Sequence, residues 1–142
     1  MAARLGSTKF AAVIEEIVTH TTEADSLALF ATMPEQHVQI GEVGAAFMPL
    51  SIESLMYHRE GGAISVMHYY IQEGDVMMDP MAVITPEGEP LEYQMDGFGG
   101  SYFRMEEGVR DDRKKELNAF LDTWSRNLRH IWLPMAMEAA HA

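Results

Sequence analysis

Residues 50–71 read LSIESLMYHREGGAISVMHYYI, and the period of this stretch decides the fold. Leu50, Ile52, Ser54, Met56 and His58 alternate with Ser51, Glu53, Leu55, Tyr57 and Arg59. Successive side chains leave a strand on opposite sides, so this period-2 pattern predicts a strand with two unlike faces. The run from Ala63 to Ile71 is rich in β-branched and aromatic residues, as strands are. Between the two runs, Gly61-Gly62 can take positive φ at both positions. That predicts a two-residue hairpin loop, with Leu55 facing His68 and Tyr57 facing Val66.

Working outward from this hairpin, a further strand is expected over Met81–Thr85, with a turn through Pro86-Glu87-Gly88-Glu89-Pro90 and a return over Leu91–Met95. Asp96-Gly97-Phe98-Gly99-Gly100 makes the next turn, into Ser101–Met105. Toward the N-terminus, Val38–Val43 reads as a short strand in an ambiguous stretch. Ser7 is placed to cap a helix whose Phe10, Val13, Ile14, Ile17 and Val18 follow the i, i+3, i+4 spacing of one buried face. Thr22 with Asp25 resembles a capping box for a second short helix through Leu27, Leu29 and Phe30, stopped by Pro34. Leu117, Phe120, Leu121, Trp124, Leu128, Ile131 and Trp132 predict a long helix over 111–132, which Pro134 ends or kinks. The expected architecture is one α+β domain over residues 1–142: an antiparallel sheet of four to five strands flanked by an N-terminal helix and a long C-terminal helix. An exposed Trp124 stripe would instead point to a homodimer.

Charge narrows the choice of partner. The chain of 142 residues carries a formal net charge of −12. Residues 1–109 hold four basic side chains (Arg4, Lys9, Arg59, Arg104) against seventeen acidic ones, a balance of −13, whereas residues 110–142 are near neutral. Direct binding to a nucleic-acid backbone needs the opposite sign. The absence of cysteine excludes disulfides, thiolate nucleophiles and cysteine-ligated metals. No uncharged run reaches the length of a membrane-spanning helix, and the first residues lack the pattern of a secretory signal, so a cytoplasmic protein is expected. Twelve methionines point to a plastic core, with a Met-rich docking surface as the alternative.

The most unusual segment is His68-Tyr69-Tyr70-Ile71-Gln72-Glu73-Gly74-Asp75-Val76-Met77-Met78-Asp79-Pro80. A strand ends in Glu-Gly-Asp, a turn follows, and Asp79-Pro80 restarts an extended run. With Tyr93 and Asp96 downstream, this His-Tyr…Gln-x-Gly-Asp-x3-Asp-Pro pattern resembles a family of short uncharacterised domains encoded on conjugative plasmids, integrative elements and phages. Phe47–Glu53 is similar to that family's first long strand, and Glu116–Phe120 with Trp124–Leu128 to its closing helix, so the resemblance covers about residues 47–130. It implies a genetic setting and no reaction.

The same segment offers His68, Asp75, Asp79 and Asp96 as ligand types for magnesium, manganese or non-haem iron, and hence a small metal-dependent hydrolase. No His-x-His or HExxH spacing supports them, and aspartates beside glycine and proline usually bond the local backbone. Ser51, Ser54 and Ser65 lack a nucleophile elbow, and Gly97-x-Gly99-Gly100 lacks the lysine of a phosphate-binding loop. His68 in an apolar strand reads as a satisfied, half-buried histidine. The preferred expectation is therefore a non-enzymatic accessory protein of a mobile element, with no cofactor. Its partner-binding residues would be Glu73, Asp75 and Asp79 on one turn and Glu87, Glu89 and Glu92 on another. They would dock a basic nucleic-acid-binding protein, as an anti-CRISPR or anti-restriction inhibitor of host defence does. A plasmid maintenance factor is the remaining alternative.

Overall fold

Ser7 starts the first helix. Its side-chain oxygen accepts a 3.1 Å hydrogen bond from the Phe10 amide in the computed structural model, which describes residues 6–96, 101–104 and 111–140, with the side chains of 6–96 and 114–140. Helix α1 (Thr8–Thr21) buries Phe10, Val13, Ile14, Ile17 and Val18, the stripe predicted from spacing. Thr22 closes this helix instead of opening the next, because its N–H and its hydroxyl both donate to the Val18 carbonyl, at 2.9 and 2.6 Å. Helix α2 (Leu27–Thr32) is capped by Ser26, which accepts from the Leu29 amide at 3.1 Å. The Glu15 carboxylate of α1 accepts from the Leu27 amide at 2.9 Å. Two otherwise orphaned first-turn donors are thereby satisfied, which moves the cap from the expected Thr22–Asp25 box to Ser26.

The sheet is a plain antiparallel meander of six strands in chain order: β1 (His37–Ile40), β2 (Leu50–Ser54), β3 (Ile64–Gln72), β4 (Asp75–Ile84), β5 (Pro90–Met95) and β6 (Ser101–Arg104). With its two flanking helices this is the α+β class that the sequence predicts, and the ambiguous stretch near Val38 supplies the additional strand β1. The Asp96–Gly100 turn lies outside the described residues from Gly97 onward.

The β2–β3 connection differs from expectation. Leu50 stands opposite His68 and Ile52 opposite Val66. Leu55 and Ala63 exchange backbone bonds of 2.8 and 3.2 Å, so the loop between them holds two successive turns, closed by His58 N–H to Leu55 O and Gly62 N–H to Arg59 O. Leu55 therefore does not face His68, nor Tyr57 Val66. Gly61 and Gly62 do have positive φ, but Gly62 also presses on α2, where an added Cβ would overlap the Ala31 carbonyl. Close approach, more than the turn, requires a glycine there.

One face of the sheet (Val38, Ile40, Leu50, Ile52, Ile64, Val66, Ala82 and Ile84) joins the helices in the main core. The other face carries a smaller cluster of Ala63, Met81 and Val83, with Leu55, Met67, Met78 and Leu91 against it. At the end of the chain, α3 (Asp111–Asn127) passes through a π-helical turn (Leu128–Trp132) directly into α4 (Leu133–Ala140). Pro134 does not end the rod. The Leu133 N–H bonds back five residues to the Leu128 carbonyl, and this widened turn accommodates a proline ring that would clash in a regular helix interior. Leu117, Leu121, Trp124, Leu128 and Trp132 are buried within the chain.

Trp124→Ala should therefore destabilise the protein by roughly 3–5 kcal/mol, the usual cost of emptying a large aromatic core site. Arg126→Ala, on the exposed face of α3, should stay within about 0.5 kcal/mol. Chemical denaturation of the two variants checks this, and equal shifts in midpoint would mean that the helix faces are assigned wrongly.

Candidate functional site

The longest pairing in the sheet is the β3–β4 hairpin, and it carries the motif segment. Gln72 pairs with Asp75, so Glu73-Gly74 is a two-residue loop, with φ of 52° and 87°. Positive φ at both central residues is the type I′ geometry that matches the twist of flanking strands. The tight hairpin expected at Gly61-Gly62 is found here instead. Asp75 is consequently the first residue of β4, and Asp79 lies inside that strand; neither sits in a turn.

Between the pairs Met67↔Met81 and Tyr69↔Met78, β3 contributes one residue, His68, and β4 contributes two, Asp79 and Pro80. This is a β-bulge, one of the few places in a sheet that tolerates a residue without an N–H. The Asp79-Pro80 peptide is cis. Asp96 ties down the neighbouring strand: its Oδ2 accepts from the Met78 amide at 2.8 Å, its Oδ1 accepts from Gln94 Nε2 at 2.7 Å, and its own N–H donates to the Met78 carbonyl at 2.9 Å. The Gln94 bond first, then the Met78 bond, hold the Asp96 carboxyl below its ordinary range. Tyr93 is shifted upward by burial and then by the Asp79 charge.

His68, on the helix-facing side of the bulge, is buried. Its Nδ1 lies 3.2 Å from the Pro49 carbonyl, and its Nε2 lies 2.9 Å from the indole N–H of Trp124. A carbonyl only accepts and an indole N–H only donates, so the ring is neutral with its proton on Nδ1. Trp132 stacks at 4.2 Å between ring centroids. Burial outweighs the Pro49 bond and pulls the pKa from 6.5 to about 4. Both ring nitrogens are committed, and the structure does not assemble His68, Asp75, Asp79 and Asp96 around a common point. Among the described residues no group of three or more His, Asp or Glu side chains could hold a metal ion.

The acidic residues are spread along β4 and β5 and the turns at the two ends of β4. Glu73 and Asp75 are exposed at the hairpin tip, and Asp79 is half-buried further along β4. Glu87 and Glu89 lie in the turn beyond the other end of β4, roughly 30 Å away at the usual rise of about 3.3 Å per residue. That second turn is structural. Ser7 N–H donates to Gly88 O at 3.0 Å, and Lys114 Nζ pairs with Glu89 at 2.8 Å; only Glu87 is fully exposed. Glu92 is half-buried on the outer face of the sheet, 3.4 Å from His58 Nε2. Of the two expected acidic turns, the first keeps Glu73 and Asp75 at its tip while Asp79 lies within β4, and the second keeps Glu87 and Glu89 while Glu92 lies within β5. Sequence reading missed the apolar pair flanking the tip, Ile71 opposite Val76, although the alternation Met67, Tyr69, Ile71 carried the signal.

The chain belongs to the family described as a domain of unknown function (DUF6908), whose model matches residues 12–130. The match takes in most of α1 and all of α2, which the motif resemblance over about 47–130 leaves out. No curated protein and no solved structure matches the chain.

The His68 geometry sets a pH dependence. The folded chain holds His68 neutral down to about pH 4, whereas the unfolded chain protonates it at about 6.5. The unfolded state then binds more protons between these values, and stability falls as pH is lowered through that window. Lowering pH from 7 to 5 should cost about 2 kcal/mol, at 1.36 kcal/mol per pKa unit. The Asp96 shift acts below this window. Denaturant titrations at the two pH values check the slope, which His68→Gln should flatten, since an amide can serve both partners without titrating.

Proposed function

We propose that this member of the DUF6908 family is a non-enzymatic binding protein that docks a basic protein partner through the acidic tip of its β3–β4 hairpin. One observation carries the reading: Glu73, in the loop, and Asp75, the first residue of β4, are exposed at the tip of a projecting hairpin, with no ion-pair partner among the described residues. No Lys or Arg occurs between Arg59 and Arg104 to offset them. The positive side chains gather instead on the helical layer, where Lys9, Arg126 and Arg129 line a cleft between α1 and α3. Arg129 is itself ion-paired with Glu16. Uncompensated charge at a rigid turn steers an oppositely charged partner and raises its association rate. The mobile-element setting implied by the motif resemblance favours a nucleic-acid-binding protein of host defence as that partner, because such proteins present basic channels. The reading is then an anti-defence inhibitor that occupies a channel without touching nucleic acid itself.

Tagged wild type, the double variant Glu73→Gln/Asp75→Asn and the single variant Glu87→Gln, used as baits in extracts of the native host, test this. Wild type and Glu87→Gln should capture the same basic nucleic-acid-binding protein, and the tip variant should lose it. With the purified partner, the tip variant should associate roughly tenfold more slowly at low salt, with a weaker salt dependence. The exposed substitutions should change stability by no more than about 0.5 kcal/mol. Equal capture by all three baits would refute the assignment of the tip.

A further inference from the structure

Resting on the reading of the tip as a docking site for a basic partner, we propose how the partner is held: an extended basic segment adds as a strand along the free edge of β3 at Tyr69–Gln72. Three observations converge on this edge. The first is topological. The β2 ladder with β3 ends at Leu50↔His68, and the β5 ladder with β4 ends at Met81↔Gln94. Beyond those points Tyr69–Gln72 and Asp75–Met78 pair with each other and, among the described residues, have no further ladder partner. The hairpin is an arm that overhangs the sheet. Its β3 side turns the backbone N–H and C=O of Tyr69 and Ile71 outward, in line with the end of β2, whereas those of Tyr70 and Gln72 face β4. Its β4 side is shortened by the Asp96 bonds to Met78. An unpaired strand edge is a template for one more strand.

The second observation is an exposed apolar pair on one face of the arm. Ile71 and Val76 stand opposite each other and are 46% and 51% exposed, with half-buried Tyr69 and Met78 next along the same face. Cross-strand β-branched pairs of this kind are normally covered. A strand laid against Tyr69–Gln72 would place alternate side chains beside Tyr69 and Ile71.

The third is charge, which selects the occupant. Glu73 and Asp75 end the arm, and a second copy of this chain would bring the same carboxylates and another −12 charge to the contact. A segment alternating β-branched and basic residues meets every requirement: backbone groups for the edge, apolar side chains for the Ile71 face, and cations for the tip.

Two synthetic octapeptides test the proposal, one alternating lysine and valine, the other alternating lysine and proline. They carry equal charge, but proline lacks the N–H that a ladder needs. Amide exchange and chemical shifts of the full chain are followed by NMR. The lysine–valine peptide should slow exchange at the outward-facing amides of Tyr69 and Ile71 and bind at least tenfold more tightly than the lysine–proline peptide. Ile71→Thr/Val76→Thr, which keeps strand propensity, should reduce that preference. Equal binding of both peptides, abolished by Glu73→Gln/Asp75→Asn, would overturn strand addition while leaving the acidic docking site in place. Binding of neither peptide at the arm would overturn both. Slowed exchange at Tyr69 and Ile71 that grows with protein concentration, without peptide, would replace the basic segment with a second copy and overturn the proposal.

Discussion

The contact between His68 and the two tryptophans is the constraint on which the rest of the molecule depends. His68 sits at the last position where β3 still pairs with β2, and its ring is held by Trp124 through Nε2 and stacked on by Trp132. One residue thereby fastens the middle of the sheet to the C-terminal helix at two points, in α3 and in the π-helical turn. Phe10 of α1 lies 5.0 Å from the same Trp124 ring, so the N-terminal helix joins at the same point. Opposite His68 in the sheet, β4 spends two residues, Asp79 and Pro80, against one. A bulge bends its strand and increases local twist. The site where the helices grip the sheet is therefore also the site where the hairpin leaves it.

Charge follows the same division. Three carboxylates tie the helices down: Glu16 pairs with Arg129, Glu89 with Lys114, and Glu15 accepts from the first amide of α2. These groups hold elements together, which is why Glu89 is a poor candidate for an external partner although it lies in an exposed-looking Pro-Glu-Gly-Glu-Pro run. At the arm, Glu73 and Asp75 have no ion-pair partner among the described residues. The difference between the two acidic turns is not one of composition but of what the chain brings near them.

That difference marks the boundary of what can be read from sequence here. The helices were legible because their apolar residues recur at 3.6-residue spacing and the first opens on Ser7; the cap of the second was not, since it is Ser26, four residues past Thr22. The strands were legible from their alternation and from β-branched content. Which glycines make the tight hairpin was not. Gly61-Gly62 has the stronger local signal, yet Gly62 is needed where α2 crosses, while Glu73-Gly74 adopts the I′ turn that the longer β3–β4 pairing imposes. Of the two outcomes expected at Pro134, an end or a kink, the helix does not end, because the turn before the proline is π-helical. The histidine reads correctly as a satisfied side chain from its apolar neighbours alone, but its partners lie 19 and 56 residues away in the chain, and no local pattern announces them.

If the arm docks a basic segment as proposed, its construction separates the two components of affinity. Exposed carboxylates at the tip act at a distance and mainly accelerate encounter, an effect that salt attenuates. They do little to prevent departure. Residence time depends on contacts that must be undone on leaving, and on the arm these are the unpaired edge of β3 and the Ile71–Val76 face. Edge and face are also what make charge specific, since a cationic segment that cannot extend, or that lacks alternate apolar side chains, gains the steering without the hold. Fixing the base of the arm through His68 matters to both: a hairpin anchored in a core presents its edge in one register, and its partner loses less freedom in finding it.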